Sequence, residues 1–186
     1  KTLIGIGSSI GGIIAFLLTF ILILNVGKWG IYHSYYSIRE IVCTNHGITE
    51  DYMSQGTAIT NDGMYILTSG YMKDKTHSRV YLTNTKTDET KYIRFERNGK
   101  KNTYHCGGIA TSGDNVYVVS NDKIFIISLT AIKNAENGAI FELGEGYDVN
   151  NQGSYVFTDD KYLYVGEFHD GKAYITDNPV LYEGVQ

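Results

Sequence analysis

Proline is almost absent from this sequence, with 1 residue against 21 glycines and 16 tyrosines. That mixture suits twisted sheets joined by glycine turns better than helices. Basic excess is absent too: 16 lysines and arginines stand against 20 acidic residues, for a net charge of −4. The overall balance therefore offers no basic face, and nucleic acid is not an expected partner. There is no glycine loop ending in Lys-Ser or Lys-Thr and no Cys-x-x-Cys pair. Phosphate-cradling and dithiol chemistry are excluded on that ground, which tilts the reading towards binding rather than catalysis. Cysteine is limited to Cys43 and Cys106, compatible either with one disulfide in an oxidising compartment or with two free buried thiols.

Charge is also missing from Leu3 to Val26, where Ile13 to Leu24 is almost wholly apolar. A bilayer core about 30 Å thick needs about 20 apolar residues as helix. The run thus predicts a transmembrane signal-anchor helix over 1–28, with the lipid bilayer as partner of residues 3–26. Gly7 and Gly11 lie four apart, as do Ser8 and Gly12, a spacing that lets two helix backbones approach closely. Lys1 and Lys28 bracket the run, and Trp29, Tyr32, Tyr35 and Tyr36 follow it as an interfacial aromatic belt would. Residues 29–44 read as a juxtamembrane segment with a first strand over Tyr36–Cys43, and 45–186 as a β ectodomain. This layout places a single-pass protein in the cell membrane, with its β domain outside the cytoplasm. Because the chain opens on Lys1 rather than Met, further residues are expected upstream.

Beyond residue 45 three segments align on their threonines: Gly56–Thr60, Gly107–Thr111 and Ser154–Thr158. Each is followed by a polar turn and then by a tyrosine-bearing apolar run, at Tyr65–Leu67, Tyr117–Val119 and Tyr162–Val165. A repeat of about 50 residues made of short strands predicts β-propeller blades. The fold class expected is therefore all-β with one N-terminal transmembrane helix, as a partial propeller of about three blades. A two-layer β-sandwich is the alternative. Strands are expected near Gly56–Thr60, Met64–Ser69, Ser78–Thr83 and Thr90–Phe95, then Gly107–Thr111, Val116–Ser120, Lys123–Ser128 and Ala139–Leu143. A third set falls near Tyr155–Phe157, Tyr162–Gly166 and Lys172–Thr176. A propeller needs about 4–8 blades to close its ring, so the ectodomain reads as incomplete.

Gln55-Gly56, His105-x-Gly107-Gly108 and Val165-Gly166-Glu167-Phe168 resemble motifs of a group of exported or membrane-anchored bacterial propeller-type proteins. The resemblance covers roughly 50–178 in the same motif order, with Cys106 standing where a small residue is expected. It implies a secreted or membrane-tethered propeller and no particular reaction.

In such a fold the residues at the start of each inner strand gather at one mouth of the channel, where ligands bind. Gln55, His105, Gly107, Gly108 and Gln152 are the ligand-binding candidates. His105 can ligate a metal, carry a proton or anchor a hydrogen bond; a histidine bonded to a backbone carbonyl beside glycines that fit a tight strand is the competing reading. Glu167 and His169, two apart on a strand end, share a face and suit a divalent metal or a general base. Glu142, Glu145 and Asp148 offer oxygens to calcium without regular spacing. The function expected is a membrane-anchored binding or scaffolding domain for a protein, glycan or small ligand. One alternative is a metal-assisted hydrolase or lyase with its site at the channel mouth, and another is a subunit of a larger membrane assembly.

Overall fold

The structure, a computed structural model, describes residues 2–26, 30–150, 152–159, 161–168 and 182–183, with 2–10 and 182–183 described as backbone only. The chain divides into two compact units, Lys1–Val42 and Cys43–Gln186.

The first unit holds two helices, α1 over Thr2–Val26 and α2 over His33–Ile38. In α1 the hydroxyl of Thr19 donates to the Ala15 carbonyl at 2.8 Å, and the Asn25 amide donates to the Ile21 carbonyl at 2.8 Å. Among the described residues no helix is long and apolar enough to cross a membrane, which overturns the expected transmembrane helix over 1–28. Gly7 and Gly11 both lie in α1, and a Cβ on Gly11 would meet nothing within 4 Å. Lys28 and Trp29 lie outside the described residues. The strand expected over Tyr36–Cys43 does not form. Its first part belongs to α2, where Arg39 N–H bonds back to the Tyr35 carbonyl at 3.1 Å.

In the second unit the strands fall close to where alternation places them. A 3-10 turn at Ile48–Glu50 leads into β1 (Tyr52–Ile59), β2 (Tyr65–Met72), β3 (Arg79–Asn84), β4 (Thr90–Arg97) and β5 (Lys100–Lys101). Then come β6 (Cys106–Ser112), β7 (Asn115–Ser120), β8 (Lys123–Ser128), the helix α3 (Leu129–Asn134), β9 (Ala139–Glu142) and β10 (Tyr147–Asp148). The last are β11 (Gly153–Thr158), β12 (Tyr162–Glu167) and β13 (Tyr182–Glu183). The strand expected at Lys172–Thr176 lies outside the described residues.

Three open sheets result. The first runs β1-β2-β3-β4-β5 with β9 also on β4, the second β10-β8-β7-β6, and the third β11-β12-β13. No closed ring or propeller is formed among the described residues, and three sheets are not the two layers of a sandwich. Nor do the described residues repeat one topology. The strand expected to complete the second unit of the repeat, β9, leaves that sheet and adds to β4 in parallel, Ile93 opposite Ala139 and Phe95 opposite Phe141. Parallel addition of that kind needs a crossover, and α3 supplies it. Ser128 caps α3 by accepting the Ala131 N–H at 3.0 Å, which is why the chain turns helical there instead of making another hairpin.

The second sheet lies between the other two. Val116 and Val118 of β7 pack with Leu67, Val80, Ile93 and Phe95 of the first sheet, while Val119, Ala110 and Ile124 pack with Val156 of the third. Successive β7 residues thus bury both faces, and the strand reads as an apolar run rather than an alternation. The outer face of the third sheet carries Tyr155 and Phe157, which stay 60% and 62% exposed.

The first strands of the three sheets approach backbone to backbone. A Cβ on Gly56 would stand 2.9 Å from the Ile109 nitrogen, one on Gly108 would stand 2.6 Å from Tyr155 Cα, and one on Gly107 would meet the Ser154 carbonyl oxygen. The hydroxyl of Thr111 adds a 2.7 Å bond to the Ile59 carbonyl. Cys106 is wholly buried beside these glycines, and burial pushes its thiol up to about 12. Cys43 and Cys106 are both free, so the candidate disulfide is not formed.

The polar turns are tied by carboxylates. Asp62 accepts from the Thr60 hydroxyl at 2.5 Å and the Met64 N–H at 2.9 Å. Asp114 accepts from the Ser128 hydroxyl at 2.6 Å and the Thr130 N–H at 2.8 Å. Asp159 accepts from the Tyr162 N–H at 2.7 Å and the Tyr164 hydroxyl at 2.8 Å. These donors hold all three carboxyls below their usual range.

Two outcomes follow from this packing. Gly108→Ala is expected to cost about 3 kcal/mol, because its new methyl meets backbone that cannot yield, and Gly113→Ala, with open space but a left-handed φ of 55°, about 1 kcal/mol. Urea unfolding of both variants measures the difference, and equal costs would remove the close-approach argument. A folded carboxyl below its unfolded value contributes stability that is present above the unfolded value and lost as pH falls through the folded one. Thermal stability should therefore decline as pH drops below about 3.9, and less steeply in Asp62→Asn, as read by melts between neutral and acid pH.

Candidate functional site

The first strand of each sheet carries a one-residue irregularity near its start. Pairing of β1 with β2 jumps between Ser54 and Gly56, that of β6 with β7 between Cys106 and Gly108, and that of β11 with β12 between Gly153 and Tyr155. Gln55, Gly107 and Ser154 are the extra residues. A bulge reverses the in-and-out alternation from that point, because side chains repeat with period two. Cys106 and Ile109 accordingly face the same core although they stand three positions apart.

All three bulged residues line one cleft of about 1100 Å³. Its walls also include His105, Asn121, Asp122, Gln152, Tyr155, Glu167 and Phe168. Bulges are frequent beside functional sites because they re-aim a side chain out of the ladder. Gln55 Nε2 donates to His105 Nδ1 at 2.8 Å, and the imidazole stacks on Tyr71 with ring centroids 4.2 Å apart and planes 27° apart. An amide nitrogen donates, which gives Nδ1 the accepting role in this contact. The hydroxyl of Ser154 donates to the Gln152 carbonyl at 3.0 Å and accepts the Phe168 N–H at 3.1 Å. Gln152 N–H donates to Glu167 Oε2 at 3.3 Å. These bonds hold the start of β11 against the end of β12 where the ladder is interrupted.

Gln55, His105, Gly107, Gln152 and Glu167, named from the sequence, are thus brought together on one cleft. Gly108 is buried beside it against the Tyr155 and Val156 backbone, and its role is close approach of strands. His169 lies outside the described residues. His105 is exposed and meets an amide and a ring rather than a backbone carbonyl.

The calcium candidates are spread rather than clustered. Glu142 accepts the Asn98 N–H at 2.6 Å, and Asp148 pairs with the Lys123 ammonium. Among the described residues no group of three or more His, Cys, Asp or Glu could hold a metal ion.

Sequence reasoning missed Asn121, Asp122, Ser154 and Tyr155. Asn121 and Asp122 form the turn between β7 and β8, and Asn121 adopts a left-handed φ of 59°, which asparagine tolerates well. The signal for them was a two-residue turn at the end of the strand that pairs with the His105 end of β6. Tyr155 lays its ring on Gly166, where any Cβ would collide with it.

No family model, curated protein or solved structure matches the chain. The cleft can exchange hydrogen bonds through amides, an imidazole, a hydroxyl and carboxylates, and the exposed Phe168 stands at its wall.

His105→Ala removes an exposed side chain with one hydrogen bond and one ring contact. The expected loss of stability is at most about 1 kcal/mol. A urea midpoint shift equivalent to more than about 2 kcal/mol would instead make His105 part of the structural frame.

Proposed function

We propose that the β unit is a binding domain whose ligand site is the cleft at the starts of β1, β6 and β11. The observation that supports this reading is the convergence of three bulged residues from three sheets, Gln55, Gly107 and Ser154, on one concavity. Each bulge lengthens a strand just where its side chain or backbone meets the cleft. The exposed rings of Tyr155, Phe157 and Phe168, at 60%, 62% and 73%, add an aromatic surface of the kind that binding sites use. A metal-assisted hydrolase finds no comparable support, because Glu167 is engaged by the Gln152 backbone within the cleft.

The test is a thermal-shift screen of a small-molecule library on the whole chain, repeated on Gln55→Ala/Gln152→Ala and on Asn84→Ala at the smaller pocket beside Lys133. Ligands that raise the melting temperature should lose about tenfold or more in affinity with the first variant, about 1.4 kcal/mol, and keep it with the second. Ligands indifferent to the cleft pair would sink the proposal.

A further inference from the structure

We infer that Asn98-Gly99, the turn between β4 and β5, is a site of spontaneous deamidation, and that the acid formed there releases the hairpin from β9. Asparagine is a thermolabile residue, and it loses its amide fastest where glycine follows, because a residue without a side chain lets its own nitrogen reach the asparagine Cγ. The sequence has two such pairs, Asn98-Gly99 and Asn137-Gly138. Tertiary contacts treat them differently.

At Asn137 both reacting groups are held. The side-chain Oδ1 accepts the Tyr92 N–H at 3.0 Å, and the Gly138 N–H donates to the Tyr92 carbonyl at 2.7 Å. The Gly138 carbonyl accepts from Arg94 Nε at 2.8 Å, which fixes the peptide that follows. Bringing the Gly138 nitrogen onto Cγ means breaking these bonds. At Asn98 the side-chain amide has no hydrogen-bond partner among the described residues. The Gly99 N–H reaches Glu142 Oε2 only at 3.4 Å, while the Asn98 N–H donates to Glu142 Oε1 at 2.6 Å. Residues 98–101 are all exposed, and Asn98 and Gly99 carry the positive φ values, 53° and 65°, of a tight two-residue turn. Two ladder pairs close it, Glu96 with Lys101 and Arg97 with Lys100. So short and exposed a hairpin end opens readily, and opening lets the Gly99 nitrogen swing onto Cγ.

The chemistry needs water alone. The Gly99 nitrogen gives up its proton and bonds to Asn98 Cγ, the Cγ–Nδ2 bond breaks, and the side-chain nitrogen leaves as ammonia, closing a cyclic imide. Water then opens the ring. Cleavage between Cγ and the Gly99 nitrogen leaves aspartate, and cleavage between that nitrogen and the main-chain carbonyl carbon of residue 98 leaves isoaspartate, with the chain routed through Cγ. Nothing is oxidised or reduced. Either product sets a second carboxylate beside that of Glu142, and like charges repel. Isoaspartate also lengthens the chain between the two N–H groups that Glu142 accepts. Glu142 is the last residue of β9, so the tie between the hairpin and that strand is what the reaction removes.

The experiment incubates the full chain at neutral and at mildly alkaline pH, with a parallel sample in urea, and follows both sites by peptide mass spectrometry and isoaspartate methyltransferase labelling. In the folded chain Asn98 should lose its amide about tenfold or more faster than Asn137, a difference of about 1.4 kcal/mol in barrier, and in urea the two should react at similar rates. Both reactions should quicken with pH, since the attacking nitrogen must lose a proton. Trypsin cleavage after Lys100 and Lys101 should rise severalfold in the deamidated fraction and in Asn98→Asp. No loss at Asn98, equal rates in the folded chain, an Asn137 that reacts first, or a difference that survives in urea overturns the site. Unchanged trypsin cleavage overturns the release.

Discussion

The structure of the β unit depends on three backbones lying against one another. At Gly56, Gly107 and Gly108 the first strands of the three sheets come closer than any side chain would permit. This contact allows the second sheet to bury both its faces, with Val116 and Val118 turned to one neighbour and Val119 to the other. Open sheets of this size are marginal alone, and each needs another layer to cover its apolar side. Spacing set by glycine rather than by leucine or valine brings Ile109 and Ala110, on opposite sides of β6, into contact with separate cores.

Close approach also explains the cleft. Three strands that touch at their glycines cannot all continue straight at the end where Gln55, His105 and Gln152 enter. The extra residue in each pair increases local twist and bends the strand, and the strand starts diverge around a cleft where they would otherwise close up. The same three bulges that open the cleft release Gln55 and Ser154 from the ladder, so the side chains at its wall are free for other partners. Ser154 then replaces lost ladder bonds with its own hydroxyl, bridging Gln152 and Phe168. Stability and site therefore share one source, and substitutions at the glycines should disturb both together.

The candidate residues were legible to a useful degree because they sit beside glycines at strand starts, where sequence marks them. Gln55 precedes Gly56, His105 precedes Gly107, and Gln152 precedes Gly153. Asp122 and Tyr155 were not legible, since nothing local distinguishes a turn aspartate or a strand tyrosine that faces a cleft from one that faces solvent. The bulges themselves were hidden as well. A one-residue bulge leaves composition intact and shifts the phase of the alternation within a strand too short to show it, as at Ser54 and Gly56 opposite Gly70 and Ser69.

By itself the sequence determined the strands and turns of the β unit. β-branched and aromatic residues fix a strand locally, as in Val116–Ser120, and Asp62 and Asp159 fix their turns by bonding to their own neighbours. Tertiary structure alone decided how those strands assemble. It sent β9 to β4 instead of to its sequence neighbour, kept the sheets open where repetition pointed to a propeller, and gathered the ends of β1, β6, β7, β11 and β12 around one cleft. The physical reason is range. A turn or a strand is set by groups a few residues apart, whereas partner choice is a competition among apolar faces that are equally good locally and differ only once all three sheets are packed.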